Sequence, residues 1–184
     1  MSSRLPVAVA LGFLAAALPA ERATAVETRA SSAQGDMPAA LALSPGEVVV
    51  LKLLAKGSQN YECRSKQDAP GQYEWALVAP EADLFDESGK KVGKHYAGPT
   101  WESTKDGSKV VGAVKARADS PEADAIPWLL LAVKEAAGKG TFEGITSVQR
   151  AETHGGKPPA GGCQSGEMRK VPYSAVYSFA RPRS

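Results

Sequence analysis

Cysteine and histidine are scarce in this chain, with two of each in 184 residues. Neither cysteine stands in a C-x-x-C pair, which argues against a thiolate metal site. Long apolar runs are missing too. The longest, Leu5 to Ala20, falls short of the roughly 20 residues a membrane span needs. No sign of charge dominates: 22 basic and 20 acidic residues leave a formal net charge of +2, which gives no pull toward nucleic acid or an anionic membrane. The catalytic signatures sought are absent, with no G-x-S-x-G elbow, no H-E-x-x-H helix and no Walker loop. "GKGTFEG" (138–144) misses the dinucleotide fingerprint because its third glycine comes one residue late. "DLFDESGKKVG" lacks the oxygen ligands of an EF-hand loop, and Asp86 there suits the cap of a hairpin turn. No cofactor and no metal are expected.

What is present begins with an export signal. Arg4 supplies a positive start, the apolar run follows, and Ala23 and Ala25 are the small residues that precede a signal-peptidase cut. Pro6, Gly12 and Pro19 suit a buried or anchoring helix poorly. No cysteine near the cut offers a lipoprotein anchor, and no twin-arginine pair precedes it. The expected organisation is a signal peptide over 1–25, a disordered tether over 26–37 without apolar periodicity, and one domain over 38–184. A secreted or periplasmic location follows, with no membrane span after cleavage. In an oxidising compartment an even cysteine count favours one disulfide, Cys63–Cys163. The alternative is a pair of buried free thiols.

Turn signals recur every 8 to 15 residues in the remainder, and no stretch sustains a period of 3.6. That pattern predicts an all-β fold, an antiparallel sandwich or barrel of about 8–10 short strands with little helix. Expected strands are 47–55, 58–64, 72–79, 81–86, 90–98, 100–104, 109–117, 143–153 and 173–180. The stretch 128–136 could be helical, but it is short, apolar and follows Ile126-Pro127, so it reads as a buried strand. Asp106-Gly107 signals a type I′ turn. Lys90, Lys91 and Lys94 mark a solvated hairpin tip. Trp128 and the face Tyr173, Ala175, Tyr177 and Phe179 read as core. The Gly- and Pro-rich loop 154–170 holds Cys163, and the disulfide would pin it.

The residues with most chemistry to offer lie in "GKHYAGPTWESTKDGSKVVG" (93–112). Alternation puts Gly93, His95 and Ala97 on one face, so small neighbours leave room beside the imidazole. Gly98-Pro99 breaks the strand, and Trp101 and Glu102 follow directly. His95, Trp101 and Glu102 are therefore the candidate ligand-binding residues, suited to stacking against and hydrogen bonding a sugar or aromatic ligand. The plainer reading is that His95 satisfies a neighbouring strand and Trp101 is core. Acid–base catalysis would need His95 beside Glu102, Asp83 or Asp86. A metal site would need His95 and His154 together, and no spacing motif supports one.

"GSQNYEC" (57–63), "ADLFDESGKKVGKHYAGPTWESTKDGSKVVG" (82–112), "IPWLLL" (126–131), "SVQRAETHGGKPPAGGC" (147–163) and "VPYSAVYSF" (171–179) occur in this order. Together they closely resemble secreted bacterial and fungal proteins grouped as domain of unknown function 3455, over nearly the whole expected domain. Ser58 and Asn60 depart from the more apolar residues expected there. The resemblance implies an exported single domain and carries over no catalytic or binding residue. The expected function is therefore a non-enzymatic binder of a small ligand or envelope component. The rivals are a hydrolase-like enzyme using His95 with a carboxylate, and a structural envelope or stress protein with no small-molecule site.

Overall fold

The computed structural model describes Met1 and residues 37–183. The expected signal peptide and tether therefore lie outside the described residues, except for Met1 and Met37. Eight antiparallel strands follow one another around a closed barrel. They are β1 (Glu47–Ser65), β2 (Tyr73–Phe85), β3 (Lys91–Tyr96), β4 (Thr100–Ser103), β5 (Lys109–Ala118), β6 (Trp128–Ala137), β7 (Ser147–Gly155) and β8 (Met168–Pro182). A 3-10 turn, Ala39–Leu41, precedes them. The all-β antiparallel expectation is met, and of the two architectures the barrel forms, because β1 pairs with β8 along most of its length.

Side-chain alternation builds the interior. On β8, Tyr173, Ala175, Tyr177 and Phe179 are buried and the residues between them face out. Leu53 and Ala55 of β1, Leu84 of β2, Trp101 of β4, Val110 of β5 and Leu131 of β6 join them in one core. Each large apolar side chain buried this way contributes about 1.5–3 kcal/mol. Trp128 is buried, but not there. With Leu41, Leu130 and Ala151 it forms a second cluster, one residue out of phase with the inward Leu131. Gln149 seals that cluster by donating from Nε2 to the Leu41 carbonyl at 2.7 Å.

The eight strands fall within the expected number, but some are longer than the turn signals imply. Residues 47–55 and 58–64 belong to one strand of 19 residues, and 72–79 and 81–86 to one of 13. Pro80 does not interrupt β2 because it pairs with Gln59 on one side only, and β3 takes up pairing at Ala82. No neighbour requires the N–H that proline lacks. The 128–136 segment is a strand, as expected. The strand expected over 143–153 starts only at Ser147.

Asp106 accounts for one end of the barrel. The two-residue turn expected at Asp106-Gly107 is a longer loop instead, with β4 ending at Ser103 and β5 starting at Lys109. Asp106 Oδ1 accepts from the N–H and hydroxyl of Ser108 at 3.0 and 2.6 Å. Its Oδ2 accepts from the N–H and hydroxyl of Thr141 at 3.0 and 2.6 Å. These bonds, led by the Ser108 hydroxyl, hold the Asp106 carboxyl well below the usual carboxylate range. They also fasten the β4–β5 loop to the β6–β7 loop, whose Phe142 and Ile145 sit in the core and stopper the barrel.

The wall is incomplete toward the opposite end. The β3–β4 hairpin is short: β3 pairs with β2 only from Ala82 to Phe85, and β4 pairs with β5 only from Lys109 to Val111. Beyond the hairpin tip, β2 continues from Glu81 back to Tyr73 paired to β1 alone, and β5, after a last bond from the Gly112 N–H to the Pro99 carbonyl at 2.9 Å, continues from Ala113 to Ala118 paired to β6 alone. A notch therefore separates the outer halves of β2 and β5. The disulfide lies on this side. Cys63–Cys163 joins residues 100 apart, and the Gly166 and Cys63 N–H groups donate to Cys63 and Glu167 carbonyls at 3.0 and 2.8 Å. The long Gly- and Pro-rich loop is thereby held to β1.

Candidate functional site

Ala97, Gly98 and Pro99 turn β3 into β4 in very few residues. Gly98 takes a φ of 129°, a backbone conformation that favours glycine, and Thr100 Oγ1 donates to the Ala97 carbonyl at 2.7 Å. The resulting register sets His95 directly opposite Trp101. Their rings stack with centroids 4.7 Å apart and planes 13° from parallel. Tyr177 of β8 closes the group, 4.9 Å from the imidazole and 5.2 Å from the indole. The indole lies close against β5 because residue 112 is glycine: a Cβ there would stand 3.0 Å from the Trp101 ring.

His95 is 2% exposed, and its Nδ1 lies 2.8 Å from the Thr100 carbonyl oxygen. A carbonyl only accepts, so Nδ1 carries the proton and Nε2 is a bare acceptor. Burial pushes the His95 pKa down to about 3, against the smaller upward pull of the Thr100 bond. The ring is neutral at ordinary pH.

Glu102 does not join these two. It follows Trp101 on β4 and so faces outward, where its carboxylate accepts from the Tyr96 hydroxyl at 2.5 Å. Asp83 pairs with Lys91 at 2.7 Å, and Asp86 caps its turn by accepting from Ser88 and Lys90. The hydrogen bond His95 makes is to a backbone carbonyl, and each carboxylate that an acid–base role required is engaged elsewhere. His154 is exposed and contacts Glu122 at 2.6 Å, so the two histidines do not share a site. Among the described residues no three His, Cys, Asp or Glu side chains come together in a way that could hold a metal.

The room expected on both sides of His95 exists on one. Beside Gly93 the space is filled, since a Cβ there would meet the Glu102 carbonyl at 2.6 Å and Leu84 at 3.2 Å. On the Ala97 side a cavity of about 300 Å³ opens through the notch. His95, Trp101 and Tyr177 line its inner part, and Leu77, Val78 and Val114 line the mouth, where these three are 53%, 46% and 57% exposed. Leu77 pairs with the inward-facing Tyr61, yet stays exposed because no β3 neighbour stands beside it. Arg150 of β7 reaches the same cavity from a position paired with Tyr177. Its Nε and Nη2 donate to the Pro127 carbonyl at 3.0 and 2.8 Å. Two buried donors in the lining, Trp101 Nε1 and the Tyr177 hydroxyl, have no hydrogen-bond partner of normal geometry. Arg150 and Tyr173 nonetheless bear electrostatically on Tyr177, whose burial pushes its pKa up.

Three larger depressions, about 450, 470 and 380 Å³, are also present. The first is lined by Lys52, Lys56 and Phe85, the second by Lys56, Lys94, Lys170 and also His95, and the third by Leu51, Thr141 and Arg181. In the second, Lys170 already pairs with Glu81 at 2.6 Å and Lys91 with Asp83. None of the three combines unsatisfied buried donors with an apolar wall, so the notch cavity is the better candidate. Of the residues lining this cavity, sequence reasoning named His95 and Trp101 as candidates and did not name Arg150. It assigned Tyr177 to the core, without a part in a cavity. No local motif marks Arg150, and only closure of the barrel places β7 and β8 across from β3 and β4.

No curated protein matches this chain significantly, and no solved structure does. The family model described as "Protein of unknown function (DUF3455)" matches residues 44–181. The match spans all eight strands but for the last residue of β8. Ser58 and Asn60, the departures from the pattern expected of the family, lie on the outer part of β1, where the Ser58 hydroxyl donates to Asn60 Oδ1 at 2.8 Å. The chain belongs to this family of proteins of unknown function.

Proposed function

We propose that this protein is an exported β-barrel that binds a small ligand without transforming it. The observation that carries the reading is the notch between β2 and β5, which opens onto a cavity of about 300 Å³ whose inner lining includes His95, Trp101 and Tyr177. Eight-stranded barrels have interiors just wide enough for side chains or one small ligand, and a short hairpin in the wall is a means of access. A neutral imidazole bonded to a carbonyl supports binding over acid–base chemistry. The Cys63–Cys163 bond is compatible with an oxidising compartment.

The test is titration of an environment-sensitive apolar dye, followed by dye and tryptophan emission. Wild type should bind it near one equivalent. Ala97→Phe, which fills the cavity from the hairpin tip, should abolish binding while leaving the fold intact by circular dichroism. Equal binding by both proteins would place the dye outside the notch and end this reading.

A further inference from the structure

The notch cavity has a charge asymmetry that its apolar walls hide. Among the described residues lining it, Arg150 is the one charged side chain. Among the described residues no carboxylate lines the cavity, and Arg150 forms no ion pair. The carbonyl of Pro127 occupies its Nε and Nη2, and a guanidinium has five N–H donors, so donors are left over. Two more belong to the same chemistry: Trp101 and Tyr177 are each about 1% exposed, Trp101 Nε1 has no hydrogen-bond partner, and the Tyr177 hydroxyl has none of normal geometry, with Arg150 and Tyr173 its nearest polar neighbours. A donor left unpaired in the interior is costly. The cluster is thus rich in donors and carries one positive charge, since His95 is neutral. The remaining lining, Leu77, Val78, Val114, Leu129 and Leu131 among it, is apolar.

We propose that the ligand is a small apolar monocarboxylate. Its carboxylate lies toward Arg150, Tyr177 and the Trp101 N–H, and its apolar body lies against Leu77, Val78 and Val114 at the notch. A single cation balances a single negative charge, and a planar guanidinium matches a carboxylate. The cavity volume restricts the body to a short chain or one ring. This inference rests on the binding reading above, and it adds the head group and its orientation.

The experiment uses the purified protein at pH 7 with straight-chain and aromatic monocarboxylic acids, each beside its primary amide, and reads affinity by calorimetry and thermal shift. At least one acid should bind, and its amide should bind about tenfold or more weakly. Arg150→Gln should weaken the acid about 10- to 100-fold and leave the amide unchanged. Tyr177→Phe should weaken the acid severalfold. Arg150 also holds the Pro127 carbonyl, so Val114→Asp, at an exposed mouth position, serves as a second variant: it should weaken the acid at least threefold and not the amide. Acid and amide binding equally, or acid affinity untouched by both charge variants, overturns the carboxylate and leaves the cavity as a binding site. Failure of acids, amides and the apolar dye alike overturns the binding reading and this inference with it.

Discussion

His95 and Trp101 face each other across the β3–β4 hairpin with their rings nearly parallel, 4.7 Å between centroids. The stack is fixed at both ends, by the Nδ1 bond to Thr100 and by the close approach of the indole to Gly112. It presents a rigid wall to the cavity with little side-chain freedom left to lose on binding.

That burial predicts a pH dependence. The folded pKa of His95 is about 3, below its ordinary value of 6.5, so the unfolded chain takes up a proton that the folded protein refuses. Stability should be full above about pH 6.5 and should fall as pH drops toward 3, by about 1.4 kcal/mol per unit at the steepest. Denaturant midpoints between pH 7 and 5, where Asp106 does not yet titrate, should show the slope in wild type. In His95→Gln the slope should be markedly shallower.

Gly112 should not tolerate a side chain. Gly112→Ala puts a methyl 3.0 Å from the Trp101 ring and 3.1 Å from Leu131, an overpacking that costs about 1–3 kcal/mol. The near-ultraviolet dichroism of tryptophan should change with it, and dye affinity should fall. An unchanged spectrum would show that the indole does not rest on β5.

Glu102 should prove dispensable for binding. Glu102→Gln should leave ligand and dye affinities at the wild-type level and cost about 1 kcal/mol or less. The hydrogen bond to the Glu102 carboxylate is the main reason the Tyr96 pKa is raised. The variant should therefore bring Tyr96 back toward its usual value in an ultraviolet difference titration.

Reduction should loosen the protein substantially. The Cys63–Cys163 bond closes a loop of 100 residues, which constrains the unfolded chain by up to about 4.7 kcal/mol in the chain-entropy model. Cys63→Ser with Cys163→Ser should lower the denaturant midpoint accordingly. Protease cutting should begin in the 156–167 connection, which then relies on the backbone bonds at Cys63.

Export is tested directly at the N-terminus. Terminal sequencing of protein recovered from outside the cytoplasm should start at Val26. Recovery of a chain beginning at Met1 would exclude cleavage there.

Much of this was legible residue by residue. Alternation in "YSAVYSFA" and in "GKHYA" is a local property: successive side chains on a strand point to opposite faces, so the inward set could be written down before any neighbour was known. The pairing of two lone cysteines needed no geometry either. The turn signals were less faithful. Pro80 read as a strand end because proline cannot sit in a paired interior, and it stays within β2 because β3 is missing at that height. Asp106-Gly107 read as a tight turn because nothing in the sequence reveals that Thr141 and Ser108 would both bind that carboxylate.

The sequence by itself determined the all-β class and the inward faces of its clearest strands, favoured the disulfide, and singled out His95 and Trp101 as candidates. Only the tertiary structure decided that Glu102 is outside, that His95 and Trp101 stack on each other, that Arg150 and Tyr177 meet them at one cavity, and that the wall is open between β2 and β5. The reason is physical. Face and turn preferences act over a few residues, whereas the length of one hairpin relative to its neighbours, and the closure of β1 on β8, are set by pairings between segments far apart in the chain.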